Sequence, residues 1–470
     1  MDKLWDNEED SEMWDEKPKE ACGVFGVYNP NGGVAHAAYL ALVALQHRGQ
    51  ESCGIAVNRN RDIFYHKGMG LVTDVFEDRK ILDGLAGTMA VGHVLYGSSQ
   101  EIRPENAQPL IVRRYIKGNI ALAYNGRLTN TKALEERYEG EGAIYQTTSD
   151  AEIIAYTIAR ERAKSSSIQE ALSKSMSVLE GAYSIVLMSA QKLIAARDMW
   201  GFRPLCMGKK GDAYMFASES CVFDSIGAEY IRELLPGEIV MIEHGEVTSI
   251  KDHVGKLPTS LCIFEHIYFA RPDSVLNDTM VYESRRRVGQ ILAIDSPVDA
   301  DVVIGAPDSG IPAAMGYAEQ SGIPYADGFI RNRYIGRTFI KHGQSDRELA
   351  ISMKLNPLRS NVDGKRVILI DDSLVRGTTC TKIVALLRKA GAKEVHLKIA
   401  SPPFLWPCYY GTDIPSREHL LAYTHTIEET RELLDADSLN YLALERLKEL
   451  VPGEYGFCDG CFSGRFPVGG

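Results

Sequence analysis

The 470-residue sequence has no apolar run as long as the roughly 18 residues that a membrane-spanning helix needs. It has no excess of positive charge either: its formal net charge is −11, which argues against a nucleic-acid partner. The acidic N-terminus lacks the basic segment with which a secretory signal peptide begins. Internal repeats and low-complexity tracts are also missing. We therefore expect a soluble cytoplasmic protein that binds neither membranes nor nucleic acids.

Cysteine is sparse and odd in number, with nine residues in the chain. An odd count in a large chain disfavours a disulfide scaffold and leaves metal ligands, a nucleophile or buried free thiols. Hydrophobic residues make up 45% of the chain and charged residues 24%, as in an ordinary globular protein. The length is sufficient for two or three domains, each with its own core.

The order in which predicted strands and helices follow one another changes near residue 260. Between 22 and about 250, strand-like runs separated by helical pairs predict α+β layers. From about 262 onward, strands alternate with helices, which is the pattern of a doubly wound, mostly parallel sheet. Residues 1–21 carry nine acidic residues against three lysines and no periodic apolar pattern, so we predict a disordered or removable leader.

The stretch 367–379 is the most informative part of the second half. Residues 367–370 (VILI) predict a short buried strand, and Asp371 and Asp372 follow at its end. A loop of small and hydroxyl residues then leads into an amphipathic helix, an arrangement that forms an anion site. Two acids beside such a site suit either Mg2+ or a pair of ribose hydroxyls. The alternative interpretation is a buried strand followed by a chance pair of acids.

This stretch is not a Walker loop, because no Gly-Lys-Ser/Thr is present. The pattern resembles the phosphoribosylpyrophosphate (PRPP) motif of type I phosphoribosyltransferases. Residues 305–310 (GAPDSG) form a second candidate anion loop, although alone they would suit a plain turn equally well. Three arginines in 329–340 predict a mobile lid over a polyphosphate, or else a solvated basic loop.

Cys22 opens a strand directly after the acidic leader, and taken alone it would be a buried thiol more often than a nucleophile. Downstream, the segments 46–51 (QHRGQE), 91–96 (VGHVLY), 124–127 (YNGR) and 148–150 (TSD) occur in this order. Together they resemble the glutaminase domain of N-terminal-nucleophile amidotransferases. In that family the leader is removed, so that the free α-amine of the cysteine acts as the base for its own thiol.

The same resemblance implies the roles of four further residues. Asn125 and Gly126 match the oxyanion hole, Asp150 matches the residue that receives the glutamine ammonium, and Arg48 matches a residue that lines the same pocket. The sequence departs from the family at Leu95, where an arginine usually pairs with the α-carboxylate of glutamine. This replacement removes a contact worth roughly 1.5–3 kcal/mol. Arg127, where the family often has asparagine, is one candidate substitute.

Cys458 and Cys461 form a C-x2-C pair, whereas Cys262 and Cys408 are single and distant. Spacing alone leaves zinc or free thiols as open as an iron–sulfur cluster. The segments around all four cysteines resemble the cluster ligands of one branch of the family, and the resemblance implies a structural, oxygen-sensitive [4Fe–4S] cluster.

From residue 22 to about 464 the chain resembles the glutamine PRPP amidotransferase family, most closely its leader-bearing iron–sulfur type. The resemblance implies an αββα N-terminal-nucleophile glutaminase domain at 22–255, an α/β type I phosphoribosyltransferase domain at 256–445 and a tail with cluster ligands at 446–470. Glutamine, PRPP and water would give 5-phosphoribosylamine, glutamate and pyrophosphate, the first committed step of de novo purine synthesis.

The implied Mg2+ ligands are Ser309, Asp371 and Asp372. The implied PRPP contacts are Asp308, Ser309, Arg333, Arg337, Lys354, Asp371, Asp372, Ser373, Val375, Arg376, Gly377, Thr378 and Thr379. Purine nucleotides are the expected inhibitors and a homotetramer the expected assembly. Two alternatives remain: a synthase that runs mainly on free ammonia because of Leu95, and a non-catalytic PRPP-sensing regulator.

Overall fold

The structure is a computed structural model that describes residues 22–97, 102–115, 118–332, 355–414 and 416–468. Its first half contains strands β1 to β13, which are Gly23–Tyr28, Ser52–Arg59, Asp62–Met69, Met89–Leu95, Leu110–Tyr115, Gly118–Leu128, Gly181–Met188, Lys192–Arg197, Cys206–Lys210, Ala213–Ala217, Glu229–Glu233, Ile239–Glu243 and Glu246–Ile250. Helices α1 to α7 are Val34–Ala44, Val72–Val75, Lys80–Gly84, Thr131–Glu139, Asp150–Ala163, Ile168–Met176 and Cys221–Ile226.

These strands form two antiparallel sheets, ordered β11-β9-β10-β1-β4-β2-β3 and β13-β12-β8-β7-β6-β5. The sheets share one core between their facing surfaces, in which Val24 of the first sheet packs with Val186 and Leu193 of the second. Helices α1 and α7 cover the outer face of the first sheet, and α5 and α6 cover that of the second. Because each sheet is covered on both faces, a strand such as β7 is buried along its whole length. The predicted αββα layers are confirmed.

The second half contains strands β14 to β23, which are Leu261–Cys262, Val275–Leu276, Thr279–Met280, Val302–Gly305, Phe329–Arg331, Leu355–Pro357, Arg366–Asp371, Glu394–Ile399, Ser438–Tyr441 and Phe457–Cys458. Helices α8 to α14, counted over the described residues, are Val281–Asp295, Ile311–Ser321, Arg359–Val362, Thr378–Lys389, Leu421–Thr424, Ile427–Leu433 and Gly460–Ser463. No helix in the described ranges is long and apolar enough to cross a membrane.

Strands β17, β20, β21 and β22 form a parallel sheet in that order. Ile368 and Ile370 of β20 pack towards α8 and α9, whereas Val367 and Leu369 pack towards α11 on the opposite face. Helices on both faces make this the predicted doubly wound sheet. The segment 323–326 (IPYA) joins the sheet through a single bridge between Val303 and Tyr325.

The short strands β14 and β23 connect the start of the second half with the C-terminal tail. They pair in parallel, with Leu261 opposite Phe457 and Cys262 opposite Cys458. This pairing brings together two cysteines that are almost 200 residues apart in the sequence.

Candidate functional site

Cys22 immediately precedes β1, a central strand between β10 and β4. Its side chain is buried, and its thiol donates a hydrogen bond to the carbonyl oxygen of Tyr96 at 3.7 Å. The backbone of Cys22 has a left-handed φ of 79°, a conformation that is uncommon for residues other than glycine.

Asn125 and Gly126 lie side by side on β6. Asn125 is 0% exposed, and neither its side-chain nitrogen nor its oxygen has a hydrogen-bond partner among the described residues. Gly126 has a φ of 139°, and a Cβ there would lie 2.1 Å from the carbonyl oxygen of Ala182. The fold therefore requires glycine at 126 and holds a buried amide without a partner beside it, which is what an oxyanion site needs.

Asp150 begins helix α5 close to the same strand. Its carboxylate accepts hydrogen bonds from the Tyr124 hydroxyl at 3.1 Å, the Leu128 amide at 2.8 Å and the Thr131 hydroxyl at 2.7 Å. Burial raises the pKa of Asp150, and these three donors and the positive charge of Arg127 oppose the rise. The site thus contains a half-buried acid with an exposed arginine nearby.

Leu95 is the last residue of β4, where it pairs with Ser52 of β2 and is 6% exposed. The position predicted to correspond to the family's arginine thus holds a buried apolar side chain.

Arg48 is fully buried, and its guanidinium group contacts two carboxylates. Nη1 pairs with Glu219, Nη2 donates to Glu265 at 2.9 Å, and Nε donates to the backbone carbonyl of Cys22 at 3.3 Å. A role for Arg48 in lining the glutamine pocket stays a prediction, whereas its contact with the backbone of the nucleophile is direct.

In the second half, Asp371 ends β20 and is 1% exposed, as is Asp372. Asp372 accepts hydrogen bonds from the hydroxyl groups of Ser309 and Ser373. The amide of Ala306 donates to the carbonyl of Ile370 at 2.8 Å, which places the 305–310 loop directly beside the two acids. The two loops predicted separately from the sequence therefore meet at the carboxyl end of the parallel sheet.

The loop after these acids leads into α11, and Gly377 caps this helix with a left-handed φ of 89°. The loop curves around a small concave pocket lined by Asp371, Ser373, Leu374, Val375, Arg376, Gly377, Thr379 and Cys380. The Thr378 hydroxyl is buried and has no partner in the described part of the chain. A helix N-terminus and hydroxyl groups around one concavity match the anion site predicted from the sequence.

The remaining predicted contacts are either exposed or lie outside the described residues. Asp308 is exposed and forms an ion pair with Arg331 at 2.7 Å. Arg376 lines the pocket, and its side chain is exposed. Arg333, Arg337 and Lys354 lie outside the described residues, as do most of the predicted lid and the leader 1–21.

The four predicted cluster ligands line a single cavity: Cys262, Cys408, Cys458 and Cys461. Burial and the neighbouring thiols raise the pKa of Cys458 to about 12 and that of Cys461 well above its ordinary value. The backbone amide of Tyr410 donates to the Cys408 sulfur at 3.4 Å. Across the described ranges, no three His, Cys, Asp or Glu side chains are placed to hold a single metal ion.

Sequence reasoning missed a set of buried charged residues between the two halves, namely Arg203, Glu219 and Glu265. In addition to its contact with Arg48, the Glu219 carboxylate lies 2.7 Å from Nε2 of His47 and accepts a hydrogen bond from the Ser274 hydroxyl at 2.7 Å. Arg203 lies 3.7 Å from Glu265 and also lines the cysteine cavity. No local pattern identifies these residues, because their partners come from distant parts of the chain.

Comparison with known proteins assigns both halves. Residues 99–225 match the glutamine amidotransferase domain family and residues 290–400 the phosphoribosyl transferase domain family. The chain is 46% identical over 452 residues to an amidophosphoribosyltransferase of Archaeoglobus fulgidus, covering 95% of this chain and 98% of the relative. It is 47% identical over 459 residues to that of Synechocystis, covering 96% and 92%.

Among solved structures, the chain resembles the glutamine PRPP amidotransferase of Bacillus subtilis complexed with ADP and GMP. The TM-score is 0.89 at 44% identity, with 95% of this chain and 97% of the other covered.

Proposed function

The chain belongs to the amidophosphoribosyltransferase family, and from this premise we propose which residues carry out each half of glutamine-dependent amidotransfer to PRPP in purine biosynthesis. One observation carries the proposal. The first half holds Cys22, the Asn125 amide, which has no hydrogen-bond partner among the described residues, and the acid Asp150; in the second half, an anion loop with paired acids follows β20. Close similarity to named enzymes over nearly the whole chain disfavours a non-catalytic regulator.

In the glutaminase half, the sulfur of Cys22 attacks the side-chain amide carbon of glutamine. The carbonyl oxygen takes the electron pair, and the Asn125 amide and the Gly126 N–H donate hydrogen bonds to it. The thiol proton passes to the α-amine of Cys22 and then to the leaving nitrogen as the C–N bond breaks. Ammonia and a glutamyl thioester result, and water hydrolyses the thioester to glutamate.

This role for the α-amine requires removal of the 21-residue leader, and we therefore propose that the chain is of the leader-bearing type. The left-handed φ of Cys22 supports it, because an L-residue held there is strained by about 1 kcal/mol or more and cleavage before Cys22 removes the constraint on that torsion.

Asp150 is proposed to bind the α-ammonium of glutamine. Since Leu95 offers no charge, Arg127 is proposed to bind the α-carboxylate. Arg127 follows Gly126 directly, and its charge already acts on Asp150, so the two residues present opposite charges next to the oxyanion site. An α-amino acid carries the matching pair of opposite charges.

In the transferase half, ammonia attacks C1 of PRPP, the C1–O bond breaks with its electrons on pyrophosphate, and the new amine loses a proton. Asp371 and Asp372 are proposed to orient the ribose, and residues 373–379 to bind the 5′-phosphate. Ser309, Asp371 and Asp372 form a donor set of oxygens that suits Mg2+, which would neutralise the leaving pyrophosphate. Arg333, Arg337 and Lys354 remain proposed PRPP contacts from the sequence.

The four-cysteine cavity is proposed to hold a [4Fe–4S] cluster. Convergence of four thiols on one buried cavity, with an N–H donated to one sulfur, suits a thiolate-ligated cluster. Its role would be to tie the tail to β14, and its chemistry would make the enzyme sensitive to oxygen. We also propose purine nucleotides as inhibitors, a homotetramer and a cytoplasmic location. The B. subtilis relative, solved with ADP and GMP, supports the first of these.

The test compares glutamine-dependent with ammonia-dependent release of pyrophosphate from PRPP. Cys22→Ala should abolish the glutamine-dependent activity and leave the ammonia-dependent activity intact. Cys206→Ala, which removes another buried thiol, should preserve both. N-terminal sequencing should begin at Cys22. If wild type uses ammonia but not glutamine, the proposed glutamine contacts are wrong and the ammonia-driven alternative holds.

A further inference from the structure

A continuous path of buried charged residues connects the nucleophile with the four-cysteine cavity. At one end, Arg48 donates to the Cys22 carbonyl through Nε. Its two terminal nitrogens donate to the two oxygens of Glu265, at 2.9 Å and 3.2 Å. Glu265 is 0% exposed and belongs to the second half of the chain, only three residues after Cys262. The backbone of the nucleophile is thus held across the domain boundary.

At the other end, Arg203 lies 3.7 Å from Glu265 and donates to the carbonyl of Tyr410 at 2.8 Å. The amide of the same Tyr410 donates to the sulfur of Cys408. Arg203 itself lines the cavity of the four cysteines. Each link from Cys22 to Cys408 is therefore a direct contact between neighbouring residues.

Arg48 and Arg203 contact the same oxygen of Glu265, Oε1. Arg203 also faces the cavity, where a cluster held by four thiolates would be anionic and would draw it away from Glu265. Without that group, this attraction on Arg203 is missing, and Arg203 and Arg48 share the charge of the same oxygen. Arg48 donates to Oε1 at 2.9 Å, whereas Arg203 makes a longer charge–charge contact with it at 3.7 Å. In a buried site both contacts act on the carboxylate that holds Arg48 and, through Arg48, the backbone of Cys22.

We propose that Glu265 and Arg203 are positioning residues that make the placement of Cys22 depend on the occupant of the four-cysteine cavity. Loss of that occupant would then impair the glutaminase half before the transferase half. The inference rests on the proposed cluster and the proposed nucleophile, and it adds a coupling between them that neither requires.

The first experiment compares Glu265→Gln with Glu238→Gln in the full chain, purified without oxygen. Glu238 is an equally buried carboxylate that accepts two hydrogen bonds from Arg232, away from Cys22. Glu265→Gln should lower kcat for glutamine hydrolysis at least tenfold with little change in KM, and slow the alkylation of Cys22 by iodoacetamide at least fivefold. Ammonia-dependent activity should stay within twofold, which also reports correct folding. Glu238→Gln should leave glutamine hydrolysis and alkylation within twofold of wild type.

The second experiment needs no variant. Wild-type enzyme is exposed to air while its iron content, Cys22 alkylation rate and two activities are followed. We expect the alkylation rate and glutaminase activity to fall in step with iron, ahead of the ammonia-dependent activity. Simultaneous loss of both activities, or an alkylation rate that stays constant while iron is lost, would overturn the coupling.

The outcomes separate the coupling from its premises. Protein that contains no iron and sulfide when purified without oxygen refutes the cluster, while Glu265→Gln still tests the contact with Arg48. An alkylation rate within twofold of wild type in Glu265→Gln refutes the positioning role even if the cluster is present.

Discussion

Asn125→Ala should reduce glutaminase activity strongly without destabilising the protein. The Asn125 amide is fully buried, and neither of its polar atoms has a hydrogen-bond partner in the described part of the chain. Removing one oxyanion donor costs about 2.7–4 kcal/mol of transition-state stabilisation, so kcat for glutamine should fall by about 10²–10³.

The same observation predicts that the stability of the folded protein changes little. A buried polar group without a partner carries a desolvation penalty of about 1–3 kcal/mol, and the alanine removes that penalty while losing some packing. The two effects offset each other, and the melting temperature should change by no more than about 2 °C.

The assay is steady-state glutamine hydrolysis beside ammonia-dependent pyrophosphate release and thermal denaturation. Asn125→Asp is the matched control, because it preserves the shape but places negative charge where the oxyanion forms, and it should be at least as inactive as the alanine variant. A kcat within threefold of wild type for Asn125→Ala, or a large loss of stability, would show that the side chain has a structural partner and is not an oxyanion donor.

Further predictions concern the two substrates and pH. Arg127→Ala should raise KM for glutamine by roughly tenfold or more in steady-state kinetics, and adding Leu95→Arg should recover much of the loss; unchanged KM values would remove Arg127 from the pocket. Asp372→Asn should lower ammonia-dependent activity roughly tenfold or more and leave glutamine hydrolysis unchanged, and equal losses in both assays would contradict the assignment of Asp372 to PRPP. Burial favours a higher pKa for Glu219, but the charges of His47 and Arg48 outweigh burial and hold the pKa below its ordinary value. The ionised Glu219 therefore stabilises the folded protein above pH 4.5, and this stabilisation is lost as the pH falls further. Denaturant unfolding between pH 5 and 3 should therefore show a shallower decline for Glu219→Gln than for wild type, and parallel declines would refute this ion-pair effect.

Short-range patterns predicted much of the fold. The apolar run 367–370 became β20, Arg366–Asp371, because a strand buried on both faces needs apolar residues at successive positions. The helix that begins at Ile168 ends at Met176. The chain turns at 177–180 to enter β7, which begins at Gly181 with a φ of 112°. That end depends on where β7 must lie in its sheet, which the helical pattern does not contain.

The residues of the two half-sites were also accessible from the sequence, because each lies in a compact motif. Residue type and immediate neighbours mark Asp371 and Asp372 as an anion or metal site, whereas the roles of Cys22 and Asn125 are implied by the resemblance of their segments to the glutaminase family. The sequence also shows that position 95 is leucine and not arginine, but it does not show that Leu95 is buried on β4.

What the sequence determined by itself was therefore the local chemistry: a candidate nucleophile, an anion loop with paired acids, and four cysteines in recognisable segments. Only the tertiary structure decided what these residues contact. The register of β14 with β23 brings Cys262 beside Cys458, and domain packing buries Arg48 against Glu265. Such contacts join residues about 200 positions apart, and they form because buried charges and strand edges must find partners wherever the folded chain supplies them.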